Sequence, residues 1–102
     1  MVSTQQMVDI IKKEKVQLID VRTPEEYSEG SIDGAKNIDF HSNKFEEEIK
    51  KLDKNTPILL YCRSGRRSGK ASKTLLELGF KKIYDLDGGI LKWKEDGLKV
   101  KK

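Results

Sequence analysis

Pro57-Ile58-Leu59-Leu60-Tyr61-Cys62-Arg63-Ser64-Gly65-Arg66-Arg67-Ser68 decides how this chain folds. An apolar run ends in the chain's single cysteine, a glycine-containing cationic loop follows, and Ala71, Leu75 and Leu78 then recur at helical spacing. A strand that delivers a lone thiol to a loop carrying Arg63, Arg66 and Arg67, with a helix opening behind it, is a layout for holding a thiolate against an anion.

Each neighbour acts on the sulfur in a definable way. The thiolate is the nucleophile, and a helix N-terminus or nearby cations raise its share over the thiol. Backbone N–H groups of a tight turn, continued by the unpaired N–H groups of a new helix, converge on an anion and add a favourable dipole. Gly65 supplies a position where φ can be positive. The three guanidiniums attract an anionic substrate, and Ser64 and Ser68 add hydroxyl donors. Free cysteine is most often a buried structural residue, but apolar burial gives no reason for three arginines in the next five residues.

Outward from this stretch, the pattern alternates helix and strand. Ser3 to Gln6 has capping-box form, and Met7, Ile10 and Ile11 continue a helical stripe to about Lys13. Val16 to Val21 reads as a strand. Thr23-Pro-Glu-Glu26 is a second capping box with proline at the first helical position, opening a short helix that stops at Gly30. Ala35 to Ile38 is a short strand. Phe45, Ile49 and Leu52 mark a helix, Ile58 to Tyr61 the central strand, Lys82 to Leu86 the last strand and Gly89 to Glu95 a final helix. Such alternation predicts an α/β domain over residues 1–102: three layers, with a parallel sheet of four to five strands covered on both faces. In open α/β sheets the ligand crevice lies outside the carboxyl ends of the strands. Cys62 stands at such an end, as do Asp20, Arg22 and the segment Asp85 to Gly89. Asp20 reads as an acceptor tying strand ends together and pairing Arg22, because a carboxylate beside a nucleophilic thiolate would oppose its ionisation. Gly88-Gly89 reads as a turn first and a close approach to the site second. His41, in a polar stretch, reads as a loop residue rather than a base.

Leu18-Ile-Asp-Val-Arg-Thr-Pro-Glu-Glu-Tyr27, Gly34-Ala-Lys-Asn-Ile38, the Cys62 to Arg67 loop and Asp87-Gly-Gly-Ile-Leu-Lys-Trp93 together resemble the rhodanese-like sulfurtransferases, over nearly all of the chain. The resemblance implies a loop cysteine that carries sulfane sulfur as a persulfide. It implies thiosulfate or a related anion as donor, with a thiophilic acceptor such as cyanide or a thiol, and no cofactor. It places Cys62 as the nucleophile, Arg63, Ser64, Gly65, Arg66, Arg67 and Ser68 around the substrate, and Asp20 and Arg22 in support. The family often has His where Ser31 stands and Pro where Lys99 stands; neither touches the reactive loop. Loop length separates this group from related phosphatases, whose loop is one residue longer: a Cys-x5-Arg signature needs Arg at position 68, which is Ser here, and the six residues from Cys62 to Arg67 match sulfur transfer. A phosphatase or arsenate reductase, a binding module and a sulfur carrier for a partner protein remain the alternatives.

Composition sets the outer bounds. The chain has 102 residues, 35% hydrophobic and 37% charged, enough for one modest core. There is no repeat and no apolar run approaching the length of a membrane span. The polar N-terminus lacks the apolar stretch of a signal peptide, which points to the cytoplasm, with an exported mature form as the other option. The net charge of +4 comes from lysines interleaved with acids, a solvated surface rather than a phosphate-tracking stripe, so neither nucleic acid nor membrane is expected as a partner. A monomer is expected, a dimer being the other possibility. One cysteine excludes an internal disulfide and leaves no second thiolate ligand for a metal.

Overall fold

The computed structural model describes all of residues 1–102. In chain order the elements are α1 (Thr4–Lys13), β1 (Gln17–Asp20), α2 (Pro24–Glu29), β2 (Lys36–Asn37), α3 (Phe45–Lys50), β3 (Ile58–Tyr61), α4 (Arg66–Glu77), β4 (Ile83–Asp85) and α5 (Gly89–Glu95). The strands form one four-stranded sheet in the order β2-β1-β3-β4, every pair parallel. Beyond β4 there is no fifth strand. Instead Val2 makes a single parallel bridge to Leu86, its N–H donating to the Asp85 carbonyl at 2.8 Å.

Both capping boxes form. Ser3 Oγ accepts from Gln6 N while Gln6 Oε1 accepts from Ser3 N, and Thr23 and Glu26 repeat the exchange at α2, with Pro24 at the first helical position. These reciprocal bonds satisfy donors that a helix start leaves unpaired. α3 has no side-chain cap and relies on Glu46, Glu47 and Glu48 in its first turn, where carboxylates complement the helix dipole.

Strand alternation sorts the apolar residues onto two faces. Ile58, Leu60 and Cys62 join Ile19, Val21, Phe45, Ile49, Ala71 and Leu75 on the side covered by α3 and α4. Leu59 and Tyr61 join Met7, Leu18, Ile90 and Trp93 on the side covered by α1 and α5. β3 is wholly buried, as its unbroken apolar sequence requires for a central strand covered on both faces. Ile11, expected in the inward stripe of α1, is 39% exposed because the stripe turns past the sheet there.

The register puts Asp20 of β1 opposite Tyr61 of β3, so the carboxyl ends of the two central strands coincide. Every residue singled out from the sequence as functional is at that edge or in the segments leaving it.

Candidate active site

Cys62 follows the last residue of β3 and points to the α4 face, 1% exposed. The chain then turns through Arg63 and Ser64 to Gly65, whose φ of +107° is left-handed. That conformation is open to glycine at little cost and brings the Gly65 N–H back onto the sulfur, donating to Sγ at 3.0 Å. It also starts α4 earlier than the sequence suggested. The helix begins at Arg66, with Gly65 as N-cap, instead of after Arg67, because a left-handed glycine reverses the chain within one residue and Gly69 N can already bond Gly65 O at 3.1 Å. Arg66 and Arg67 therefore belong to the first helical turn.

The loop that carries Sγ is rich in unpaired backbone donors. The amides of Arg66, Arg67 and Ser68 have no acceptor within the protein, as the opening of a helix dictates, and neither do those of Arg63 and Ser64 in the turn before it. Ser68 lies on the inner side of that turn, fully buried, its Oγ 3.5 Å from Sγ and 3.3 Å from the Gly65 carbonyl to which it donates.

The arginines divide into two kinds. Arg63 and Arg66 are exposed and form no ion pair. Arg67 is engaged: Nη1 and Nη2 donate to Glu26 Oε1 and Oε2 at 2.7 and 2.9 Å, a bidentate bridge from α4 to α2. The Arg67 bonds, followed by that of the Thr23 N–H, pull the Glu26 carboxyl down to about 2, and Glu26 raises Arg67 in return. Glu26 thus caps α2 and ties α4 to it. Nothing in the local sequence signals this, since the partners are 41 residues apart.

Asp20 and Arg22 lie on the opposite face from Cys62. Arg22 Nε and Nη2 bond both carboxylate oxygens of Asp20, the shortest contact 2.6 Å, and Nη2 also bonds the Gly30 carbonyl at 2.7 Å. Burial opposes the charge on Arg22, but the bonds and charge of Asp20 outweigh it and raise its pKa. The guanidinium stands 5.7 Å from the Tyr61 ring centroid. Tyr61 is itself buried, which pushes its hydroxyl pKa up, and its oxygen accepts the Ile32 N–H at 3.0 Å. This layer links the carboxyl ends of β1 and β3 on the face away from the sulfur. His41 is exposed on its loop, edge-on to Phe40.

The Gly88-Gly89 pair is both a turn and a close approach. A Cβ at Gly89, where φ is +59°, would stand 2.5 Å from the carbonyl oxygens of Cys62 and Arg63. Those oxygens accept from Ile90 N at 2.9 Å and Leu91 N at 3.1 Å, so α5 docks its first turn on the backbone that carries the sulfur. Beside that dock, Arg22, Glu26, Arg63, Leu91 and Lys94 are among the residues lining a cavity of about 200 Å³. No group of three His, Cys, Asp or Glu side chains is placed to hold a metal ion, and no helix is long and apolar enough to cross a membrane.

Known proteins are similar to this chain in sequence and fold. The family model of the rhodanese-like domain matches residues 3–96. An uncharacterized protein, YqhL of Bacillus subtilis, is 46% identical over 79 residues, which are 78% of this chain and 61% of that protein. The thiosulfate sulfurtransferase GlpE of Coxiella burnetii is 36% identical over 86 residues, 84% of this chain and 78% of its own. Among solved structures, a rhodanese-related protein from Thermoplasma volcanium superposes with a TM-score of 0.87 at 32% identity, covering 98% of this chain and 95% of its own.

Proposed function

The chain belongs to the rhodanese-like domain family of sulfurtransferases, and from that premise we propose that it moves sulfane sulfur from thiosulfate or a related anionic donor to a thiophilic acceptor through a persulfide on Cys62. The observation that carries this reading is the position of Sγ, held by the Gly65 N–H at 3.0 Å in a loop whose other amides, up to the first turn of α4, have no acceptor in the protein.

In the first half-reaction the Cys62 thiolate attacks the outer sulfur of thiosulfate. The new S–S bond forms as the bond to the inner sulfur breaks, and sulfite leaves with that electron pair. The three negative charges of the reactants become the one of the persulfide and the two of sulfite, with no proton transferred. The terminal sulfur is then held by the free amides of the loop, which act as preorganised donors to its charge. In the second half-reaction cyanide or a thiolate attacks that terminal sulfur and the electron pair returns to Sγ. Arg63 and Arg66, free at the rim, draw in the dianion, whereas Arg67, neutralised by Glu26, serves as wall. The account needs no metal or organic cofactor.

Thiosulfate:cyanide transfer measured on the wild type and on Cys62→Ser tests it. The wild type should form thiocyanate and the serine variant should fall by about a thousandfold or more, since an alcohol is not ionised at neutral pH. Comparable rates in the two would refute the persulfide. Steady aryl-phosphate hydrolysis without sulfur transfer would favour the phosphatase reading instead.

A further inference from the structure

Four of the five helices place charge where the helix dipole favours it. α2 and α3 open on glutamates, and α1, α3 and α5 close on lysines. α4 does the reverse. Its first turn begins Arg66-Arg67 with no acid, its last residue is Glu77, and no base stands in its last turn. The interleaving of lysines with acids met elsewhere also fails here. From Arg63 to Leu76 there are five cations and no acid, more than the net charge of +4 of the whole chain.

Three of these cations form a stripe. Arg66, Lys70 and Lys73 are spaced four and three residues apart, so they stand one above another on a single helix face. All three are exposed and none forms an ion pair, whereas Arg67, to one side of them, is engaged by Glu26. Asp85 of β4, near Gly69, is buried and pairs with none of them. Like charges at this spacing repel, so the stripe lowers the stability of the free protein. A small donor does not account for it. Arg63 and Arg66 stand at the rim of the sulfur loop, while Lys70 and Lys73 continue about 6 and 10 Å farther along the helix axis, past any anion small enough to sit in the loop. An elongated anion is needed to meet them all. The stripe also ends on an apolar side chain: Leu76, three residues beyond Lys73 and so its neighbour on the surface, is 59% exposed, more than any other large apolar residue but Met1. No aromatic is among the exposed large apolar residues, so the face lacks the stacking platforms on which single-stranded nucleic acid is held. Carboxylates in a row beside an apolar side chain are what a protein offers.

We propose that the α4 face formed by Arg66, Lys70, Lys73 and Leu76 is the docking surface for an acidic protein segment that brings a cysteine to the sulfur loop, so that the acceptor of the Cys62 sulfur is a protein thiol. The inference rests on the sulfur-transfer reading for what the partner receives. Its cysteine enters beside Arg66 and its acids lie back along the helix. The partner's thiolate attacks the terminal sulfur of the Cys62 persulfide, the bond from that sulfur to Sγ breaks with its electron pair returning to Sγ, and the partner leaves as a persulfide. Each chain begins and ends with one negative charge, so no oxidant, reductant or proton is required.

The probe is an acetylated, amidated peptide with one cysteine separated by three glycines from five glutamates, and a control with glutamines instead. Transfer is read by mass spectrometry as loss of the added sulfur from Cys62, in wild type, Lys70→Gln/Lys73→Gln and Lys70→Arg/Lys73→Arg, at low and high salt. Binding of a labelled peptide with serine in place of the cysteine is read by fluorescence anisotropy, which needs no sulfur donor. At low salt the glutamate peptide should bind the wild type, and take sulfur from it, about five- to tenfold better than with Lys70→Gln/Lys73→Gln, and high salt should close the difference. The arginine variant should match the wild type. The glutamine peptide and 2-mercaptoethanol should not distinguish the three proteins, and neither should thiosulfate:cyanide turnover. Both sites are exposed and glutamine is a good helix former, so the melting temperature should hold or rise; a fall would make the lysines structural and overturn the proposal. So would a glutamate-peptide preference that survives Lys70→Gln/Lys73→Gln, or an equal loss with thiosulfate, which would mean that the stripe steers small anions. A single-stranded DNA hexamer of equal charge that displaces the labelled peptide as well as the unlabelled one does would assign the face to nucleic acid instead. Absence of thiosulfate:cyanide turnover in the wild type would refute sulfur transfer, while the anisotropy would still decide whether an acidic segment docks on α4.

Discussion

Replacing Gly89 by Ala should damage the sulfur loop far more than the same change at another left-handed glycine. At Gly34, where φ is +89°, an added Cβ meets nothing within 4 Å, so Gly34→Ala carries only the backbone cost of about 1–2 kcal/mol. At Gly89 the same cost applies, and the methyl would also stand 2.5 Å from two carbonyl oxygens and 2.6 Å from the Arg63 carbonyl carbon. These are backbone atoms at the end of a buried strand and cannot rotate aside. Relief requires the first turn of α5 to lift, which sacrifices the bonds from Ile90 N and Leu91 N to those oxygens, at about 1 kcal/mol each. Gly89→Ala should therefore cost about 3–4 kcal/mol, roughly 2 more than Gly34→Ala, a gap of about 10 °C in melting temperature for a domain of this size. Urea and thermal unfolding followed by circular dichroism measure the difference. Thiosulfate:cyanide turnover should drop in Gly89→Ala and hold in Gly34→Ala. Equal destabilisation of the two would refute the argument that α5 is docked on the backbone of Cys62 and Arg63.

The bridge from Glu26 to Arg67 makes stability depend on acid. With its carboxyl held at about 2 against an ordinary 4.5, Glu26 contributes stability that is fully present above about pH 4.5 and is lost as the pH falls toward 2. The shift corresponds to at most about 3 kcal/mol, reduced to about 1 kcal/mol by solvent at side chains 20 and 25% exposed. The melting temperatures of wild type and Glu26→Gln should differ near neutrality and converge in acid; a constant gap would contradict this. Asp20→Asn, which leaves the Arg22 guanidinium buried without its countercharge, should cost about 3 kcal/mol in urea unfolding, and a loss under about 1 kcal/mol would show that Gly30 and Tyr61 suffice to hold that cation.

How far the sequence carried depended on the range of each interaction. Helix starts set by neighbours within one turn, such as Ser3 with Gln6 and Thr23 with Glu26, were legible to the residue, as was β3, whose unbroken apolar run has no other use in a small domain. The start of α4 was not, because glycine as N-cap lacks the side-chain oxygen that marks most helix starts, and its left-handed turn is invisible in composition. The family could be read from motifs because each is a short contiguous run in or next to a strand of the parallel sheet. What escaped was long-range side-chain pairing. Arg67 looked like a free cation until α2 placed Glu26 against it.

Intact-protein mass spectrometry after incubation with thiosulfate tests the central claim most directly. The wild-type chain should gain the mass of one sulfur atom, located on the peptide containing Cys62, and cyanide should remove it with release of one equivalent of thiocyanate. No gain in mass, or the same gain in Cys62→Ser, would contradict the account.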